Sequence, residues 1–132
     1  MTGAEQWWRW LPRDVLMAVH DEQLAEHGGA AGVRDEGLFD SALARPHQLA
    51  HHGDPDLADL AAAYAFGLIH NHPFIDGNER TGYVAAELFL LLNGHVLTVS
   101  DESAVLTTLS LAAGDIDESA FADWLRRHLQ PR

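Results

Sequence analysis

His70-Asn71-His72-Pro73-Phe74-Ile75-Asp76-Gly77-Asn78-Glu79-Arg80-Thr81-Gly82 crowds imidazole, carboxylate, amide and guanidinium into one short run between two apolar segments. Before it, Leu57 to Ile69 is alanine-rich and nearly free of charge; after it, Tyr83 to Leu92 is apolar except at Glu87. A segment hydrophobic all round, yet too short to cross a bilayer, is a buried helix. The run is therefore expected to be a polar loop between two central helices. If the second helix starts near Gly77 or Asn78, its free backbone N–H groups and positive dipole end point into the loop. That makes an anion site, and a phosphate is the anion expected there.

Each residue type has a chemical reason to be present. His72 can take a proton near neutral pH, which suits a general base acting on a hydroxyl nucleophile. Asp76 is a hard oxygen ligand of the kind that holds Mg²⁺ bridging substrate phosphates. Gly77 lets backbone come close to a ligand, and Asn78 either adds an amide donor or caps the helix. Arg80 presents a planar fork of donors that matches phosphate oxygens. Pro73 and Phe74 stiffen and pin the loop, Phe74 being its anchor.

The run from His72 to Thr81 resembles the signature of the Fic/Doc superfamily, H-x-F-x-(D/E)-(G/A)-N-x-R. Leu24 to Gly29, Gly32 to Leu38 and Ser41 to Pro46 resemble the N-terminal half of the small Doc (death-on-curing) toxins of type II toxin–antitoxin systems more than the larger Fic enzymes. The resemblance implies an all-α, compact bundle of about six helices around a central helix–loop–helix. It also implies transfer of a phosphate from ATP or another nucleoside triphosphate, with Mg²⁺, to a Ser or Thr hydroxyl of an elongation factor Tu-like protein, stopping translation. In that scheme His72 is the catalytic base, Asp76 holds the metal, and Gly77, Asn78, Glu79 and Arg80 stand at the phosphates. A cognate, Phd-like antitoxin is the implied partner, and His47 to Asp54 is the implied flap beside the target's peptide.

Two positions depart from the pattern. Between the Asn and the Arg, Fic enzymes usually have Gly and Doc toxins Lys, whereas this chain has Glu79. A carboxylate beside a phosphate site repels the ligand. Glu79 is thus a substitution that silences a toxic protein, a natural variant with altered donor or rate, or a side chain that points away. Three residues after Arg80, where Fic enzymes carry a second Arg, stands Tyr83, which favours the Doc-like reading over transfer of AMP. The alternatives kept are a Fic-type AMP transferase and a silenced binding module.

Bulk properties set the frame. A chain of 132 residues is one domain, residues 1–132, with room for a real core. It contains no cysteine, which excludes disulfides and thiolate metal sites and fits a reducing cytoplasm. Clustered Trp and Glu5, rather than a basic and then an apolar stretch, speak against a signal peptide. Twenty acidic against eight basic residues give a formal net charge of −12, which argues against direct nucleic-acid binding. A polyanionic nucleotide must then be held by local features, with Mg²⁺ offsetting repulsion.

The other segments read as scaffold. Trp7, Trp8 and Trp10 suggest a short extended piece covering the core edge. Pro12 opens a helix running to His27, with Val15, Leu16, Val19 and Leu24 inward, Gly28-Gly29 as its stop, and His20-Asp21 on an exposed face. A second helix spans about Asp35 to Arg45 and ends at Pro46, followed by a polar loop containing His47, His51 and His52. His70 is expected to cap its helix rather than pair with His72 around zinc. Val96 to Val99 looks like a strand fragment without a mate, and Ser100 caps a helix with Val105, Leu106, Leu109 and Ala113 inward. Asp117 starts a last helix burying Phe121, Trp124 and Leu125.

Overall fold

The computed structural model describes residues 7–132 and contains six helices and a two-stranded ribbon. They follow in the order α1 (Arg13–His27), α2 (Glu36–His52), α3 (Leu57–Asn71), α4 (Asn78–Leu92), β1 (His95–Leu97), α5 (Asp101–Ala113), α6 (Glu118–Arg127) and β2 (Leu129–Pro131). The all-α class expected from the sequence holds. Among the described residues no helix is long and apolar enough to cross a membrane.

The centre is α3, buried over most of its length from Leu57 to Ile69. Its small residues let neighbours approach at backbone distance. A Cβ added at Gly67 would lie 3.2 Å from the Cα of Ala42 in α2, and one added at Gly82 of α4 would lie 2.8 Å from Cγ1 of Ile69. Tyr64 is buried among these helices. Its hydroxyl accepts from the Leu11 N–H at 3.0 Å, and burial pushes its pKa up to about 12, so it stays protonated. At the helix start, Asp56 and Asp59 form a capping box, and Arg126 of α6 donates to both carboxylates. The pairing holds Asp56 down to about pKa 2.

Four local expectations need correction. First, α2 does not stop at Pro46 but continues through His52. The proline ring is buried in the core, and Arg45 beside it is fixed by Glu118 of α6 and lies over the Phe66 ring. These tertiary contacts outweigh the lost helical hydrogen bond. Second, residues 47–52 are consequently helical rather than a polar loop. His47 stacks on Trp10, which in turn meets Phe89. Third, β1 has a mate in β2, with Val96 opposite Gln130, a pairing between segments too far apart in sequence for local pattern to reveal.

Fourth, α5 presents the opposite face. Ala104, Thr108 and Leu111 are buried, whereas Val105, Leu106 and Leu109 are 58%, 57% and 48% exposed. Its small side chains let the helix lie flat on the bundle, and its larger ones line grooves on either side. Of the tryptophans, Trp8 and Trp10 cover the core edge as expected, while Trp7 is 78% exposed. Glu5 and the rest of residues 1–6 lie outside the described residues.

Candidate functional site

The loop between α3 and α4 is built by its own sequence and then clamped from one side. Helix α3 ends at His72, which takes the left-handed conformation at φ 54°, ψ 51°. Pro73 cannot extend the helix, so the chain turns there. Arg34 secures the turn. Its Nε donates to the His72 carbonyl at 2.8 Å and another guanidinium nitrogen to the Asn71 carbonyl at 3.0 Å. The segment around Val33 then runs antiparallel to the loop, with Arg34 N–H donating to the Pro73 carbonyl and Ile75 N–H to that of Gly32. This segment, and not His47 to Asp54, is the extended piece beside the motif.

Phe74 anchors the loop. It is fully buried, tilted on Phe39 at 4.9 Å between ring centres and stacked on His20 at 3.8 Å. Asn78, the first residue of α4, does not cap the helix but engages its amide with the loop backbone. The side chain accepts from the Phe74 N–H and donates to the Phe74 carbonyl, both at 3.0 Å. The cap is Gly77, left-handed at φ 80° and with no side-chain bond, so the first N–H groups of α4 receive no side-chain cap. Free N–H groups of this kind, with a positive dipole behind them, are what an anion site requires.

The loop and α4 form one wall of a cleft of about 450 Å³, whose lining includes His72 and the run Asp76 to Arg80. Opposite stand His27, Gly28 and Gly29. Gly29 has φ 122°, and a Cβ there would come within 3.1 Å of the Asp76 Cβ, so only glycine lets the two walls meet. The side chains of His72 and Arg80 are exposed and make no hydrogen bond or ion pair among the described residues. Asp76 is held by one oxygen, Oδ2, which accepts from the Ala30 N–H at 2.7 Å. Its other oxygen has no partner in the described residues. No group of three metal-binding side chains occurs among those residues, and the carboxylates lining the cleft are Asp76 and Glu79. That suits Mg²⁺, which keeps several waters and takes phosphate oxygens for the remainder of its shell.

Glu79 stands at the border of two clefts. It lines this cleft and also a second one of about 540 Å³ that shares His27 and Arg80 and continues to Tyr83, Val105 and Thr108. There burial, reinforced by the nearby Glu87 carboxylate, pushes the Tyr83 hydroxyl above its ordinary range, and burial raises the Glu87 carboxyl as well. Both groups stay less charged than they would in water.

All seven sequence-predicted site residues, His72, Phe74, Asp76, Gly77, Asn78, Glu79 and Arg80, thus meet at one loop and helix end. His70 is exposed and stacks on Phe66, and the helix is capped by His72 rather than by His70. Sequence reasoning missed the clamping side. His20 is completely buried, contrary to the exposed face expected, and its Nε2 lies 2.8 Å from the Asp76 carbonyl oxygen. The signal was present in the spacing Leu16, His20, Gln23, one helix face of which all three members are buried while Val19 is only half-buried. Arg34 and Ala30 act through backbone geometry, for which no sequence spacing stands.

A family model described as the Fic/DOC family matches residues 10–90. "Protein kinase doc" of Escherichia phage P1 is 35% identical over 120 residues, which cover 90% of this chain and 94% of that protein. "Toxin Doc" of Mycolicibacterium smegmatis is 48% identical over 69 residues, 51% of this chain and 53% of that one. Among solved structures, the BepC protein of Bartonella tribocorum with bound AMPPNP aligns at a TM-score of 0.51 and 16% identity. The N-terminal Fic domain of a Bartonella quintana protein with bound ADP aligns at 0.50 and 17%. Each alignment covers 74% of this chain and about half of the solved one, and at such identity it shows a shared fold.

Proposed function

The chain belongs to the Fic/DOC family, and from that premise we propose that it is a Doc-type toxin that moves the terminal phosphate of a nucleoside triphosphate onto a Ser or Thr hydroxyl of a translation factor. One observation carries the reading: an unspent imidazole, an unspent guanidinium and an uncapped helix N-terminus open onto the same cleft. The phage P1 relative is named a protein kinase, and the two Fic-fold neighbours hold AMPPNP or ADP, which supports a nucleotide as the ligand.

In this mechanism the N–H groups at the start of α4 and the Arg80 fork hold and orient the phosphates. His72 accepts the proton of the target hydroxyl as its oxygen attacks the terminal phosphorus. The bond from that phosphorus to the bridging oxygen breaks, and the diphosphate leaves. On a chain of net charge −12, charge compensation for the donor would come from Mg²⁺ held at Asp76. Arg34, by fixing the His72 carbonyl, keeps the imidazole in place at the cleft. An elongation factor Tu-like target in the cytoplasm and a Phd-like antitoxin complete the proposal, with residues 1–132 acting as one domain.

The test is intact-mass spectrometry of elongation factor Tu after incubation with the protein, Mg²⁺ and ATP. A phosphate-sized gain that disappears in His72→Ala is expected, with the rate falling by at least about 100-fold while nucleotide binding persists. An AMP-sized gain would replace the kinase reading by AMP transfer, against which the tyrosine at position 83 weighs. Full activity of His72→Ala would overturn the base assignment.

A further inference from the structure

We infer that His20 is a positioning residue for Asp76, holding the proposed metal-binding carboxylate from behind through its backbone; the inference rests on the proposed nucleotide site. His20 is wholly buried in α1, far in sequence from the loop. Its ring lies flat on Phe74, 3.8 Å between centres and 9° between planes, and its Nε2 is 2.8 Å from the Asp76 carbonyl oxygen. A carbonyl only accepts, so Nε2 carries the proton and Nδ1 is left with a lone pair. That Nδ1 is buried with no hydrogen-bond partner.

A spacer would not be built this way. A phenylalanine or leucine would fill the same room without stranding Nδ1, but it would leave the Asp76 carbonyl without the donor that His20 supplies. What only a ring with an N–H provides is the bond to Asp76. Together with the Ala30 N–H on Oδ2 it grips the residue at both its carbonyl and its carboxylate, leaving one carboxylate oxygen unpartnered. The next residue is Gly77, whose missing Cβ would sit 3.8 Å from Nε2, so the same imidazole also backs the turn into α4. The arrangement matches the general rule that groups behind a metal ligand orient it, and that losing them weakens metal affinity about 10- to 100-fold.

Two variants separate positioning from packing. His20→Phe keeps a ring on Phe74 and loses the donor; His20→Gln keeps a donor of similar reach and loses the ring. Calorimetry with ADP is run on each folded protein, with Mg²⁺ and with chelator. His20→Phe should weaken binding about tenfold with Mg²⁺ and less than about twofold without it, and His20→Gln should stay within about threefold of the parent. Equal losses in both variants, or a loss in His20→Phe that ignores Mg²⁺, would reduce His20 to packing and overturn the inference.

Should the parent bind no nucleotide, the functional reading falls by itself. His20 is then decided by nuclear magnetic resonance. Long-range nitrogen–proton spectra should show the proton on Nε2, and the Ala30 amide, bonded to Asp76, should exchange at least about tenfold faster in His20→Phe. A bare Nε2 or unchanged exchange would overturn the inference independently of any activity.

Discussion

Replacing Asn78 by Ala tests whether this amide serves the ligand or the loop. The side chain is 2% exposed and exchanges two hydrogen bonds with the backbone of Phe74, itself fully buried. Truncation strands a buried N–H and a buried carbonyl, each at about 1 to 3 kcal/mol. Alanine returns about 0.5 kcal/mol as the better helix former, so a net loss of about 3 kcal/mol is expected. A chain of 132 residues unfolds with an entropy of about 0.28 kcal/mol/K, so Tm should fall by about 10 °C. Asn78→Asp should fall comparably, because a carboxylate cannot donate to the Phe74 carbonyl. Thermal unfolding followed by circular dichroism measures both. A Tm within about 3 °C of the parent would refute the reasoning, and with loss of nucleotide binding it would return Asn78 to the ligand.

Glu79→Lys should tighten Mg²⁺-nucleotide binding about fivefold, worth about 1 kcal/mol for removal of a like charge at a partly exposed site. The gain should shrink in high salt, and calorimetry at two ionic strengths checks it. Arg126→Met should lower Tm by about 3 °C at pH 7, the large shift of Asp56 being discounted to about 1 kcal/mol because the pair is exposed. Asp56 has a folded pKa of about 2, below its ordinary value of 3.8, so this contribution is present above pH 4 and lost on acidification towards pH 2. Melts across that range should converge; a difference independent of pH would refute the pairing. Gly82→Ala forces α4 off Ile69 and the Ala65 carbonyl, and a loss of about 1 to 3 kcal/mol, read as a Tm fall of about 4 to 10 °C, is expected.

The two central helices and the loop between them were legible because their signals are local. An apolar segment on either side of Pro73 and Gly77 leaves the chain few other options. Caps at Asp56, Ser100 and Asp117 likewise stand where their residue types favour them. What escaped depends on partners distant in sequence. Pro46 reads as a stop until Glu118 and Phe66 are seen to hold its neighbour. The face of α5 was inverted because Ala104 and Thr108 win burial by being small, a property that hydrophobicity ranks below Val105 and Leu109. In the site, the motif side chains came from the sequence. The bonds of Asn78 to the Phe74 backbone were not foreseen, and His20 and Arg34 act on backbone carbonyls that no motif records.

His72 is the single non-glycine described residue at positive φ, a conformation that costs an L-amino acid about 1 kcal/mol or more. Glycine would occupy the same turn without that cost. Two selections therefore oppose each other at one codon: on the proposed mechanism chemistry holds histidine there, whereas folding favours glycine. Variants that escape the protein's own toxicity need not be misfolded ones. His72→Gly is expected to be one of them, inactive in transfer yet no less stable than the parent from which it arose.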